Sequence, residues 1–249
     1  MHRLYCPQTD FSVSPIIITD PKEIHHLNVV LRLKNKQQIH VFNGQGEEAL
    51  ATILAITPHK INLQIDHVYT SETDSPKMIL ACAVPKKGKF ETIIEKATEL
   101  GVAEIIPLKT QRTEIQLKGE RLHKKTVRFQ TVAVNAAKQS KRKLVPHIHP
   151  LTEFISAIQF LTTQSTTIIP SLMGDRIPLI NALQKIKEPK IVSFVIGPEG
   201  DFTPEEYAYA HKKGCIAVSL GQNILKVETA AITALACAHI FLIAHHDKI

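Results

Sequence analysis

Two hydrophobic rhythms divide the chain. Up to about residue 70 the apolar positions come in short, β-rich runs, at 15–19, Gln38–Phe42, 49–56 and 60–68. Asn43-Gly44-Gln45-Gly46 between the second and third is a hairpin turn signal. A single helix start interrupts them. Asp20-Pro21-Lys22-Glu23 offers an N-cap aspartate and a proline at the first helical position, and predicts a helix to about Arg32. Several short strands with one helix predict a small β-barrel-like module. Residues 71–76 (SETDSP) are polar, acidic and proline-ended, the composition of a linker.

From Lys77 the pattern becomes an alternation of apolar runs and amphipathic stretches. Strands are predicted at 78–84, 103–108, Thr166–Pro170, Ile191–Ile196 and 215–220. Helices are predicted at 90–100, 119–140, 151–161, 178–187 and 229–244. Strand–helix alternation at this spacing predicts a parallel sheet with helices on both faces. The expected domains are therefore 1–72, a barrel, and 73–249, an α/β domain.

The last stretch of this second domain, 191–244, is the most organised. Ile191–Ile196 reads as a buried strand, and Gly197 and Gly200 are expected to free the backbone for a tight turn. Thr203-Pro204-Glu205-Glu206 has the form of a capping box, and Gly214 a C-terminal stop. A second strand, a turn at Gly221 and an apolar helix follow. In such βαβα order both glycine loops leave from one sheet edge, where open α/β sheets bind ligands. The loop 220–229 is long and carries Ile224 and Leu225, apolar side chains suited to cover a flat ring.

Charge sharpens this picture. The formal net charge is +7, yet residues 1–75 hold six Lys/Arg against eight Asp/Glu. The excess sits in 109–143, where eleven Lys/Arg meet only Glu114 and Glu120. A strip of that kind marks a polyanion partner such as nucleic acid. No segment reads as a membrane span, because 229–244 is short and contains His239. The N-terminus lacks a secretory pattern, and Cys6, Cys82, Cys215 and Cys237 form no CxxC pair, which suits reduced cysteines in the cytoplasm. His25-His26, His147-x-His149 and His245-His246 lack the further ligands of a metal site, so no metal is expected. No Rossmann, P-loop or nucleophile-elbow motif is present.

IGPEGDFTPEE at 196–206 followed by SLGQNILKVETAAITAL at 219–235 resembles the C-terminal signature of the 16S rRNA (uracil-N3)-methyltransferase family, of the SPOUT class. The resemblance extends to KATELGVAEIIPLKTQR at 96–112, to 120–146 and to the N-terminal MHRLYCP. It implies a PUA-like, RNA-binding barrel followed by an α/β domain threaded into a trefoil knot. It implies S-adenosyl-L-methionine as cofactor, 16S rRNA or the small ribosomal subunit as partner, a homodimer formed on the apolar C-terminal helix, and methylation of uridine N3.

Carried over by position, the resemblance places the cofactor against Ile169, Pro170, Ile196, Gly197, Pro198, Glu199, Gly200, Leu220, Gly221, Ile224, Leu225, Thr229 and Ala230. N3 carries a proton, so the reaction needs a base or a cation over the uridinate oxygens. Glu199 is the candidate base, and Arg112 and Lys226 are the candidate cations. Lys86, Lys118, Arg121, Lys124, Lys125, Arg128, Lys138, Lys141, Arg142 and Lys143 are the expected RNA contacts. The chain departs from the family pattern at Asn28-Val29, Lys138, Lys141, Asp201, Asn223, Lys226 and Val227. Asn223 and Lys226 keep open a SPOUT methyltransferase of another RNA site, and a non-catalytic RNA-binding or ribosome-assembly factor on the same fold is a further alternative.

Overall fold

The computed structural model describes residues 2–70, 76–86, 88–113, 119–186 and 190–246. The chain folds into two compact units: Met1–Thr73 with Ala137–Val145, and Asp74–Ala136 with Pro146–Ile249.

The first unit is built on a five-stranded sheet. In chain order its elements are β1 (Arg3–Tyr5), β2 (Ile16–Ile18), α1 (Pro21–His25), β3 (Gln38–Phe42), β4 (Glu47–Ile56) and β5 (Ile61–Thr70). The sheet order is β1-β3-β4-β5-β2, with β1 and β3 parallel and the remaining pairs antiparallel. Along β4 Ala49, Ala51 and Ile53 are buried while their neighbours face out, the period-two pattern of a half-buried strand. Register shifts at Leu50/Ala51 and Ile53/Ala55 bend the long β4–β5 ribbon. Leu4, Ile24, Leu27, Ile39, Val41 and Leu63 fill the core.

The sequence missed β1, which is three residues long and too short to show a period. It also extended the first helix too far. Asp20 does cap it, accepting from the Lys22 amide at 2.7 Å, but after His25 the helix widens into a π turn, His26–Val30. Arg32 then takes a left-handed φ of 52°. The β-branched Val29-Val30 pair disfavours a further α turn.

The second unit is a parallel sheet. Its elements are β6 (Lys77–Ala83), α2 (Lys89–Glu99), β7 (Glu104–Lys109), α3 (Gly119–Gln139), β8 (His147–Ile148), β9 (Thr152–Glu153), α4 (Phe154–Gln164), β10 (Thr166–Pro170), β11 (Ile177–Pro178), α5 (Leu179–Gln184), β12 (Ile191–Ile196), α6 (Pro204–Lys212), β13 (Ile216–Ser219) and α7 (Val227–His246). The strands run β11-β13-β10-β12-β6-β7-β8, with β9 also on β7, and every pairing is parallel. The central strands are buried along their length, as expected of a sheet covered on both faces. The expected 178–187 helix is shorter, because Pro178 closes strand β11 before α5 starts.

Chain order and sheet order disagree where it matters. After β13, on the far side of β10, the chain crosses back so that α7 packs on β12 and β6 between α2 and α5. The Val227–Ala244 stretch of α7 is also long and apolar enough to cross a membrane, which corrects the reading that it is too short. The helix starts at Val227, earlier than expected. Its Ala231, Ala234, Leu235 and Ala238 are buried, as in a core helix, while Cys237, Ile240 and Ile243 face out.

Candidate active site

Parallel pairing places the ends of β10, β12 and β13 at one edge, and their loops enclose a cleft of about 480 Å³. Its walls are Pro170, Ser171, Leu172 and Arg176 after β10; Ile196, Gly197, Pro198, Glu199 and Asp201 after β12; and Ser219–Ala230 without Thr229 after β13, with Lys89 from α2. Small-molecule sites fall in this size range.

The β12 loop is held from several sides. The Asp201 amide donates to Pro198 O at 2.9 Å, closing a turn. Neither Gly197 nor Gly200 has a positive φ. Asp201 carries the strained residue of this turn, at φ 60°. This corrects the expectation that Gly197 and Gly200 supply the turn's conformational freedom. Gly197 is required for a different reason: a Cβ there would lie 3.1 Å from the Phe202 ring, which packs on Phe154 at 5.0 Å between centroids. Asp201 Oδ1 accepts from its neighbour's amide, Phe202 N, at 2.9 Å, and the Tyr207 hydroxyl lies 2.7 Å from it and 3.2 Å from Pro170 O. Burial first, then Asp201, raises the Tyr207 phenol well above its ordinary range. The phenol therefore stays protonated and ties the end of β10 to the β12 loop.

The capping box forms. Glu206 Oε2 accepts from Thr203 N at 2.9 Å and Thr203 Oγ1 from Glu206 N at 3.3 Å. The other carboxylate oxygen of Glu206 accepts the Gln111 amide at 2.9 Å, joining α6 to the segment after β7. From that segment Arg112 Nη1 donates to Gly200 O at 2.6 Å and lies 3.4 Å from Phe202 O. Glu199 Oε1 accepts the Lys86 amide at 3.0 Å. Across the cleft the Lys89 ammonium and the Glu228 carboxylate meet at 2.8 Å, tying the start of α2 to the start of α7. The hydrogen bond from Lys89 holds Glu228 below the usual carboxylate range.

The structure thus gathers Pro170, Ile196, Gly197, Pro198, Glu199, Leu220, Gly221, Ile224, Leu225, Lys226 and Ala230 around one cleft. Ile169 is instead a buried core residue, Thr229 is exposed outside the lining, and Gly200, within the β12 loop, and Arg112, which bonds its carbonyl, are also outside the lining. Sequence reasoning missed Lys89, Leu172, Arg176 and Glu228, along with the tie through Tyr207. Lys89, Leu172 and Arg176 lie in no motif, whereas Glu228 sits inside the 219–235 signature without having been assigned a role. Ile224 is 79% exposed, an apolar side chain presented to solvent at the mouth of the cleft.

The expected basic strip is not one open face. Lys118 lies outside the described residues. Arg121 and Lys141 are exposed. Lys124 pairs with Glu120 at 2.7 Å and Arg128 with Glu91 at 2.7 Å, while the Lys125 ammonium lies 5.8 Å from the Phe129 centroid. Lys138 is paired with Glu23 within the first unit, and both side chains are mostly buried. Burial lowers Arg142 to about 10. A Lys138–Glu23 pair and a half-buried Arg142 are structural fixtures, which corrects their assignment as freely offered RNA contacts.

Residues 73–239 match the family model of an RNA methyltransferase domain, and residues 18–66 that of an RNA methyltransferase PUA domain. The chain is 30% identical over 240 residues to the ribosomal RNA small subunit methyltransferase E of Rickettsia conorii, covering 94% of this chain and 93% of that one. To the enzyme of the same name from Bacillus subtilis it is 28% identical over 228 residues, 90% of this chain and 89% of the relative. A solved structure of ribosomal RNA small subunit methyltransferase E from Neisseria gonorrhoeae, bound to S-adenosyl methionine, superposes with a TM-score of 0.84 at 28% identity. It covers 96% of this chain and 97% of that one.

Proposed function

We propose, given that this chain belongs to the RNA methyltransferase family of ribosomal RNA small subunit methyltransferase E, that it is an S-adenosylmethionine-dependent methyltransferase of small-subunit ribosomal RNA, acting on N3 of a uridine. The observation that carries this reading is the cleft itself, three loops at the carboxyl edge of a parallel sheet, in a chain of that family. Its residues fit the cofactor. Ile224 and Leu225 offer apolar cover for an adenine ring, and the carboxylates of Glu199 and Glu228 stand on its walls for a sulfonium cation. The cofactor supplies an electrophilic methyl group.

The remaining work falls to the protein. The loops fix the methyl donor's orientation and exclude water, and most of the rate comes from such positioning. Lys226, exposed on the cleft wall, stabilises negative charge on a uracil oxygen as the N3 proton leaves. Arg112 acts on the β12 loop and through it on cofactor binding. Glu199 spends Oε1 on the Lys86 amide and accepts the N3 proton, as the base, through its other oxygen. We assign the barrel to 1–72, completed by the Ala137–Val145 segment that belongs to its unit, and the methyltransferase domain to the rest of 73–249, in the cytoplasm. The outward Ile240 and Ile243 of α7 form the surface of a homodimer.

Calorimetry with S-adenosylmethionine and mass spectrometry of rRNA nucleosides from a deletion strain test the reading. Cofactor binding and loss of N3-methyluridine are expected. Persistence of that nucleoside at wild-type level overturns the N3 assignment, and absence of cofactor binding overturns the enzyme. Asn223 and Lys226, both on the cleft wall, favour one second reading, a different RNA nucleotide as target. The same spectra would show it as another missing methylated base.

A further inference from the structure

The N-terminal strands form an acidic segment, yet the folded unit is not acidic. Residues 1–73 hold six Lys/Arg against seven Asp/Glu, and the unit also includes Ala137–Val145, which adds Lys138, Lys141, Arg142 and Lys143 and no acid. The unit's net charge moves from −1 to +3. This segment is anchored hard. The Arg3 guanidinium donates to Ala137 O at 2.9 Å and lies 3.3 Å from Arg142 O, and the Gly46 amide reaches Lys143 O.

Of this charge, Lys143 is brought to the face of β3, β4 and β5 that carries His40, His67 and Tyr69. In register across those strands stand His40, Leu50 and His67, and next to them Glu48 and Tyr69. Tyr69 is 38% exposed. The His67 ring meets it edge-on at 4.5 Å, the His40 ring lies within 23° of parallel at 6.3 Å, and the Lys143 ammonium is 5.9 Å from its centroid. The nearby acids are engaged. Glu48 takes Arg3 at 2.8 Å with the His40 ring 3.3 Å away, and Asp66 accepts from Gln38 and Thr52. An exposed aromatic ring flanked by imidazoles, with the Lys143 ammonium beside it and the neighbouring acids hydrogen-bonded, has the make-up of a surface that holds single-stranded nucleic acid by base stacking and phosphate contact.

We propose that this face is a stacking platform for an unpaired RNA nucleotide, with Tyr69 and His67 on the base and Lys143 and Lys141 on the flanking phosphates. The proposal rests on the RNA methyltransferase reading and adds to it a second point of RNA contact, carried by the first unit. A double helix offers no free base face to such a ring, so the partner is single-stranded.

The test uses the full chain and a fluorescein-labelled decauridylate RNA, followed by anisotropy. Tyr69→Ala is expected to weaken binding about 5- to 150-fold, the range for losing one base–aromatic stack. Tyr69→Phe is expected to retain wild-type affinity. Lys143→Ala is expected to lower the log–log salt slope by about 0.7, the value for one phosphate contact on a single strand. His67→Ala serves as a second probe should Tyr69→Ala unfold. Equal affinity of wild type, Tyr69→Ala and His67→Ala overturns the platform, as does absence of wild-type binding. Loss of binding to a protein partner with RNA affinity unchanged assigns the face to that partner and equally overturns it. Methyl transfer to ribosomal RNA by the wild type, measured alongside, separates this outcome from failure of the enzyme reading.

Discussion

Replacing Arg112 by alanine distinguishes a loop clamp from a catalytic cation. The guanidinium makes one short bond, to Gly200 O at 2.6 Å, and one long one, to Phe202 O at 3.4 Å. A hydrogen bond involving a charged group contributes about 1.5–3 kcal/mol. Arg112 is solvent-exposed, and screening reduces that to about 1–2 kcal/mol. The β12 loop keeps its other ties, the Asp201–Pro198 turn, Tyr207 on Asp201 and Glu199 on the Lys86 amide, so it loosens without collapsing. If the lost energy falls on the cleft, the cofactor Kd rises about 5- to 30-fold. At saturating cofactor and RNA, turnover then stays within a few-fold of wild type. Arg112→Lys should fall between, because an ammonium reaches one carbonyl but lacks the planar fork. Calorimetry for Kd and a saturating methyl-transfer assay measure the two quantities on the same preparations. An unchanged Kd with a hundredfold loss of turnover refutes the clamp and returns Arg112 to the uracil oxygens.

Other substitutions probe separate parts of the argument. Lys141 sits at φ 58° at the left-handed stop of α3, with Arg142 N bonded back to Ala137 O, so Lys141→Gly should raise stability by about 1 kcal/mol in urea unfolding. Thr203→Ala removes the capping oxygen of α6 and should cost about 1 kcal/mol by the same measurement. Ile224→Ser should weaken cofactor binding about 5- to 10-fold, by loss of apolar cover, yet leave the melting temperature nearly unchanged, since that side chain already lies in water. Glu228 has a lowered folded-state pKa. Its pair with Lys89 therefore contributes stability above the unfolded glutamate value, and that contribution is lost as pH falls through the folded one. Glu228→Gln should flatten that acid limb by at most about 1 kcal/mol in pH-dependent melts, and an unchanged limb would remove the pair's role.

The five longer strands of the parallel sheet were readable because full burial leaves continuous apolar runs such as Ile191–Ile196, and the capping box because its chemistry lies within four residues, whereas the two-residue β8, β9 and β11 leave no run to read. The cleft was half readable. Its β12 and β13 loops are contiguous in sequence, whereas Lys89, Arg176 and the tie through Tyr207 come together only when the sheet brings distant strand ends side by side. Strain was misplaced for a related reason. Glycine advertises a left-handed turn, but Asp201 occupies that conformation, as a short polar side chain able to bond its neighbour's amide does. The charge strip misled most. Composition counts cations, and only the folded chain shows that Lys138, Arg128 and Lys124 each already face a carboxylate.

The division of α3 between the two units has a consequence for biosynthesis. Its last turn and the segment to Val145 belong to the first unit, although β6, α2, β7 and most of α3 are translated after β5 and before them. A nascent chain emerging from the ribosome thus has every strand of its first sheet several seconds before Val145, at about 5–20 residues per second. During that interval Arg3 lacks the Ala137 carbonyl, and Glu23 lacks Lys138. The amino-terminal module is finished by the middle of the chain, so a gene truncated after the linker encodes the strands of that module without the piece that completes them.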